Sequence, residues 1–345
     1  MREEQVKDKI ISIQRVRFWD IAKGMTIILM ILGHTLGVPD RLHALIFSFH
    51  MPIFFLINAY FIKDYNVKTA LKKSAKSLLV PYLAVCAIAA VVDMFINLDN
   101  PLKALGIRIN AIILGLSFEG ILFPEEYESV WLMWFVCCLF VARIVYVGIR
   151  QMTRKLPEAV AVMIIAVLVG IGAILGYKGY FLPWSLDVAL VALIFMLIGD
   201  WLRKYDFLRK AWFLWLSIPM AILWIGLTYY GYWIEMAMRS YKGGPLCIAT
   251  AICGSIVVIL IAKLFEKIEL LAKAFSWCGK NSMVILAVHC LEMMYINWSN
   301  NFVIADVSET YMWMIRFVLR LLVILVISAL YTYIKKLIAN LFEKK

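Results

Sequence analysis

Residues 157–176 read PEAVAVMIIAVLVGIGAILG, twenty positions with a single charge, Glu158, at one edge. At about 1.5 Å per residue such a helix is about 30 Å long, the thickness of a bilayer's hydrocarbon core. The run is preceded by Arg150, Arg154 and Lys155 and followed by the lone Lys178, so its basic flank lies on one side. Similar runs lie at about 21–37, 43–62, 77–96, 130–149, 184–201, 211–231, 245–264, 281–298 and 311–334. The stretch 104–123 is also apolar, but Arg108, Asn110, Ser117 and Glu119 interrupt it, so it reads as an interfacial or re-entrant segment.

The whole chain agrees with this reading. Of its 345 residues 64% are hydrophobic and 17% charged, and mean hydropathy is +0.86. A soluble domain is nearer half apolar and about one-quarter charged. The net charge of +12 does not mark a nucleic-acid module, because the Lys and Arg residues fall in short clusters between apolar runs. With Lys263 counted with the loop it borders, 25 of them lie in alternate segments starting from the N-terminus and 6 in the others. By the positive-inside rule both termini are then expected in the cytoplasm.

The expectation is an all-α polytopic membrane protein with about ten transmembrane helices. One membrane domain would span 1–345, with cytoplasmic segments at 1–20 and 335–345. The first apolar run lacks a small-residue cleavage site and reads as a retained signal anchor. Cys86, Cys137, Cys138, Cys247, Cys253, Cys278 and Cys290 lie in or beside apolar runs without metal-ligand spacing. They read as small buried hydrophobes, and no metal is expected.

Ionisable groups at membrane depth are costly and mark a site by default. Lys23 and His34 are eleven residues apart, three helical turns, so they share a face about 16 Å apart along the axis. Asp20 lies one turn before the lysine. A histidine can serve as general base or acyl acceptor near neutral pH, and a lysine suits a phosphate or carboxylate. A snorkelling Lys23 and a hydrogen-bonded interior His34 explain the same residues.

In the second run, His43 sits at the boundary, whereas His50 is deeper and next to Pro52, with Asn58 further along. His289 precedes Glu292 by three residues, close enough for the carboxylate to orient the imidazole. Asp187 and Asp93 lie near outer boundaries and face either an acceptor or solvent. Arg316 and Arg320 share a face and suit an anionic group, or else snorkel. Lys72, Lys73 and Lys76 form the densest basic cluster, able to grip a nucleotide phosphate or simply to set topology. Phosphate-loop, dinucleotide-binding, nucleophile-elbow and zinc-protease motifs are absent.

Taken in order, these elements resemble the acyltransferase 3 family of bacterial integral membrane proteins, in particular its fucose 4-O-acetylase-like branch. The motifs are Phe18-Trp19-Asp20-Ile21-Ala22-Lys23-Gly24 through Leu32-Gly33-His34, Phe49-His50-Met51-Pro52 with Phe54-Phe55, and Lys76 to Pro81. They continue with Trp131 to Phe135, Leu182-Pro183-Trp184-Ser185-Leu186-Asp187, and Gly279-Lys280-Asn281-Ser282 to His289. The resemblance implies transfer of an acyl group, usually acetyl from cytoplasmic acetyl-CoA, to a hydroxyl of an extracytoplasmic glycan or lipid-linked sugar. It makes His34 the catalytic base or transient acyl carrier, with Lys23 in the place of the family's usual arginine.

On that reading His289 and Glu292 support His34. Asp20, His50, Asn58, Asp187, Arg316 and Arg320 are candidate substrate contacts, and Lys72, Lys73 and Lys76 hold the CoA end. Asn58-Ala59 stands where the family often has Ser-Gly. The expected partners are acyl-CoA, the sugar acceptor and membrane lipids, without nucleic acid, in a bacterial inner or plasma membrane. The competing reading is a proton-coupled transporter or flippase, which uses the same kinds of buried group. Its usual repeated halves and paired broken helices are not evident in the sequence.

Overall fold

The computed structural model describes residues 2–118, 120–122, 128–298 and 308–343. Glu119, one of the interruptions in 104–123, lies outside them. The helices are α1 (Arg2–Gly33), α2 (Asp40–Phe47), α3 (Pro52–Tyr60), α4 (Val67–Ser74), α5 (Val80–Ile96), α6 (Pro101–Leu114), α7 (Trp134–Met152), α8 (Glu158–Tyr177), α9 (Leu186–Lys204), α10 (Ala211–Trp215), α11 (Ser217–Tyr229), α12 (Pro245–Phe265), α13 (Glu269–Lys280), α14 (Ser282–Tyr295) and α15 (Glu309–Glu343).

Among the described residues, eight helical stretches are long and apolar enough to cross a membrane: Asp40–Tyr60, Val67–Ile96, Trp131–Met152, Glu158–Tyr177, Pro183–Lys204, Ala211–Tyr229, Pro245–Phe265 and Tyr311–Leu341. The expected runs at 21–37 and 281–298 correspond to the end of α1 and to α14, whose 14 residues reach about 21 Å. Of the stretch at 104–123, residues 104–114 belong to α6, which is not among the eight.

The apolar exterior identifies the solvent these helices meet. Met163, Val167 and Ile174 of α8 and Ile218, Ile222 and Ile225 of α11 are all exposed. Only 22% of the most apolar window of α8 and 17% of that of α11 are buried by protein. Helices hydrophobic all round yet uncovered by protein belong in lipid.

Two prolines shape the spans. Pro52 opens α3 after a turn at 48–51, because a proline in mid-helix lacks the N–H for the ladder and crowds the preceding turn. Pro81 follows a π-helical turn, Ala75–Leu79, in which the Val80 N–H reaches back to the Ala75 carbonyl; the wider turn makes room for the ring. Among the described residues the one strand pair in this otherwise helical, all-α chain is a two-residue antiparallel hairpin, Ile234–Glu235 with Ser240–Tyr241. Arg239 in its turn adopts φ 53°.

The chain divides into two compact units, Met1–Ile46 with Val258–Lys345, and Phe47–Val257. In the first, α1 and α13 cross with backbones almost touching. A Cβ on Gly24 would lie 1.9 Å from the Phe275 carbonyl oxygen, and one on Gly279 would lie 1.8 Å from that of Asp20. Both glycines belong to the sequence motifs, and only a residue without a side chain permits such an approach. In the second unit α9 is the core, 78% buried over its apolar window. It meets α3 at Gly199, whose Cβ would lie 2.0 Å from the Leu56 carbonyl oxygen.

Candidate active site

In the unit formed by Met1–Ile46 and Val258–Lys345, α1 ends at Gly33, so His34 is the first residue beyond the helix. Its backbone N–H still bonds to the Met30 carbonyl at 3.0 Å. The His34 Nδ1 lies 2.8 Å from the same carbonyl. A carbonyl only accepts, so Nδ1 carries the proton and the ring's basic lone pair is on Nε2. The side chain is part-buried, which leaves it reachable.

The His289 ring lies against His34, with centroids 5.5 Å apart and planes at 71°. One turn on, Glu292 Oε2 accepts from His289 Nδ1 at 2.9 Å. Arg320 of α15 forks onto this carboxylate, Nε to Oε1 at 2.8 Å and Nη2 to Oε2 at 3.1 Å. Its Nη1 donates to the His34 carbonyl at 2.6 Å. One arginine thus fixes both the carboxylate behind His289 and the backbone of His34. The bidentate geometry is one a lysine does not reproduce. His289 is fully buried, and its Nε2 has no hydrogen-bond partner among the described residues.

The remaining candidates in this unit stand apart from the cluster. Lys23 Nζ pairs with Asp20 Oδ1 at 2.6 Å, held where Gly279 meets the Asp20 backbone. Arg316 is buried one turn from Arg320, with its guanidinium beside Gly37.

The other candidates belong to Phe47–Val257. His50 is 2% exposed and packs edge-on against Phe47, with centroids 4.5 Å apart. Asn58 Oδ1 lies 3.5 Å from Arg143 Nη1. Lys72, Lys73 and Lys76 are exposed. Asp187 is not an outward-facing contact. It is fully buried and pairs with Arg239 Nε at 2.9 Å, while Oδ1 also accepts the Leu182 N–H. Asp93 binds Arg108 Nε at 2.6 Å, and Arg108 also reaches Glu128.

Sequence reasoning missed Arg239 and a hub around Asp200. Fully buried in α9, Asp200 accepts from Tyr65 and Tyr146 and pairs with Arg150 and Arg203. Burial, followed by the hydrogen bond to Asp200 and its charge, pushes the Tyr65 hydroxyl up to about 12. Asp200 lies near the C-terminal end of an apolar run rich in ordinary boundary charges, and nothing in its local sequence distinguishes it.

A family model for an acyltransferase domain, acyltransferase 3, matches residues 16–333. The chain is a member of the acyltransferase 3 family. The match spans both compact units and every residue of the His34 cluster. No curated protein and no solved structure matches the chain. An acyltransferase 3 protein with this many apolar helices is a multi-pass membrane acyltransferase.

Proposed function

We propose that this acyltransferase moves an acetyl group from cytoplasmic acetyl-CoA to a hydroxyl of an extracytoplasmic glycan or lipid-linked sugar, in a bacterial inner or plasma membrane. Membership of the acyltransferase 3 family supports the reaction class. The likeness of the motifs to the fucose 4-O-acetylase-like branch supports the donor and the sugar acceptor. The observation that carries the assignment of roles is the imidazole pair. His34 has its proton on Nδ1 held by a carbonyl and its ring against His289, and His289 is oriented by Glu292 and Arg320.

In the direct form of the reaction, His34 Nε2 takes the proton of the acceptor hydroxyl as its oxygen attacks the thioester carbonyl. The C–S bond breaks, and the CoA thiolate takes the proton back from the imidazole. General-base assistance of this kind contributes about 10²–10⁴-fold. In the two-step form, Nε2 itself attacks the thioester carbonyl and the C–S bond breaks to release the CoA thiolate; the acceptor oxygen then attacks the acyl-imidazole, the C–N bond breaks to restore the imidazole, and the hydroxyl proton ends on the thiolate. The salt bridge between Glu292 and Arg320 matches charge with charge, so the histidines work beside a pair that needs no counter-ion from water.

Lys23 and Asp20 lie at the start of the apolar part of α1, on the side that the charge pattern assigns to the cytoplasm, where the donor enters. Purified protein given acetyl-CoA and candidate glycans is expected to release free CoA and an acceptor heavier by one acetyl group. Proton-driven solute uptake into vesicles without any acylated product would reverse the reading in favour of a carrier.

A further inference from the structure

Within Phe47–Val257, two adjoining cavities open at the turn between α7 and α8. One, of 420 Å³, is lined by Asp64, Tyr65, Gln151, Arg154 and Lys155 among others. The other, of 320 Å³, is lined by Arg150, Arg154, Glu158 and Lys204 among others. Tyr65, Arg154 and Leu156 border both. Each volume falls in the small-ligand range of about 300–1,000 Å³.

We propose that these joined cavities seat the phosphorylated nucleotide end of the acyl-CoA donor, its phosphomonoester and diphosphate. This inference rests on the acyltransferase reading. Arg154 and Lys155 are exposed and make no ion pair among the described residues, so two full positive charges stand at the rim. Arg150 on the cavity wall is 9% exposed, and its Nε has no hydrogen-bond partner among the described residues.

The first turn of α8, a 20-residue helix, also lines the second cavity, and no side chain caps it. Its backbone N–H groups and dipole favour an anion. Of the two carboxylates that line the joined cavities, Asp64 and Glu158, Glu158 is already bound by Arg150, Trp201 and Lys204, which offsets its charge. The Val67 N–H donates to Gln151 Oε1 at 2.9 Å, so α4 starts at the cavity rim. Lys72 lies about 8 Å further along that helix.

The same phosphate chemistry occurs in an anionic lipid headgroup, and the experiment separates the two sources. Full-length protein is titrated with coenzyme A in nanodiscs of phosphatidylcholine and of phosphatidylglycerol, as wild type, as the Arg154→Glu/Lys155→Glu double variant, and as a Lys178→Glu control. Both reversed positions are exposed, so the fold is kept, and thermal unfolding verifies this. The expected result is that the double variant weakens coenzyme A binding by about tenfold or more, while the control and the lipid change leave it as in wild type.

Unchanged binding in the double variant overturns the site and leaves the acyl-CoA reading standing. If phosphatidylglycerol displaces coenzyme A from wild type but not from the double variant, the cavities are a headgroup site and the proposal falls. Wild type that binds coenzyme A through these residues yet transfers no acyl group supports the site and removes the activity reading.

Discussion

Two buried arginine–carboxylate pairs sit in apolar surroundings, and they differ in what is left over. Arg239 is surrounded by acceptors, although the Tyr241 hydroxyl of the same hairpin is buried without a hydrogen-bond partner among the described residues. Nε and Nη2 of Arg239 bond to Asp187, Nη1 to Ser117 and the Ala237 carbonyl, and Nη2 also to Ser185, while the Phe181 ring stacks 4.1 Å from the guanidinium carbon. All five N–H groups have partners. Around Glu292 and Arg320 the pair is equally well formed, but it holds two imidazoles, and the His289 Nε2 has no partner among the described residues. Buried charge alone therefore does not mark the chemistry; what sets the second pair apart is that it holds imidazoles, which can take and return a proton near neutral pH. The first pair ties the hairpin turn to the start of α9; on the proposed function the second holds the imidazoles for acyl transfer.

Substitutions at the two pairs should behave differently. The largest stability loss is expected from Asp187→Ala, which strands the Arg239 charge in a dry site and costs about 3–5 kcal/mol; chemical unfolding of the purified protein measures it. The sharper version is the double replacement Asp187→Leu/Arg239→Met. Apolar residues in place of a whole buried pair are often neutral, so most of the stability should return, and acyl transfer with it. The corresponding Glu292→Leu/Arg320→Met is expected to keep the fold and lose transfer by about 10²-fold, because His289 then has nothing to orient it.

A smaller loss, about 1–3 kcal/mol, is expected from Gly279→Ala, whose methyl must push α13 off the Asp20 backbone; thermal midpoints against wild type read it. A pH-dependent effect concerns Glu235 in the hairpin whose turn holds Arg239. Burial pushes its carboxyl up to about 8 from the usual 4.5. The folded state then holds a proton that the unfolded state releases, so stability is full below about pH 4.5 and falls as pH rises to about 8. In Glu235→Gln this slope should vanish from the melting temperatures.

Much of the architecture is legible in the sequence, because span length and the charge of connecting segments are local properties. The His289–Glu292 contact is legible for the same reason, since three residues on a helix are neighbours. The pairings that decide roles are not local. Arg320 joins Glu292 from 28 residues away and Arg239 joins Asp187 from 52 away, and no helical period links positions on different elements. Asp187 therefore read as a surface acid when it is a closed internal one. Lys23 lies in α1 and His34 just beyond its end, and the lysine pairs with the carboxylate one turn away, Asp20.

The central claim, that the imidazole pair performs the transfer while the closed pair only supports it, is tested most directly by the acyl-transfer rate of purified His34→Ala. A rate at least about a hundredfold below wild type is expected, with an unchanged thermal midpoint and unchanged coenzyme A binding. A folded His34→Ala protein that transfers within twofold of the wild-type rate would contradict it.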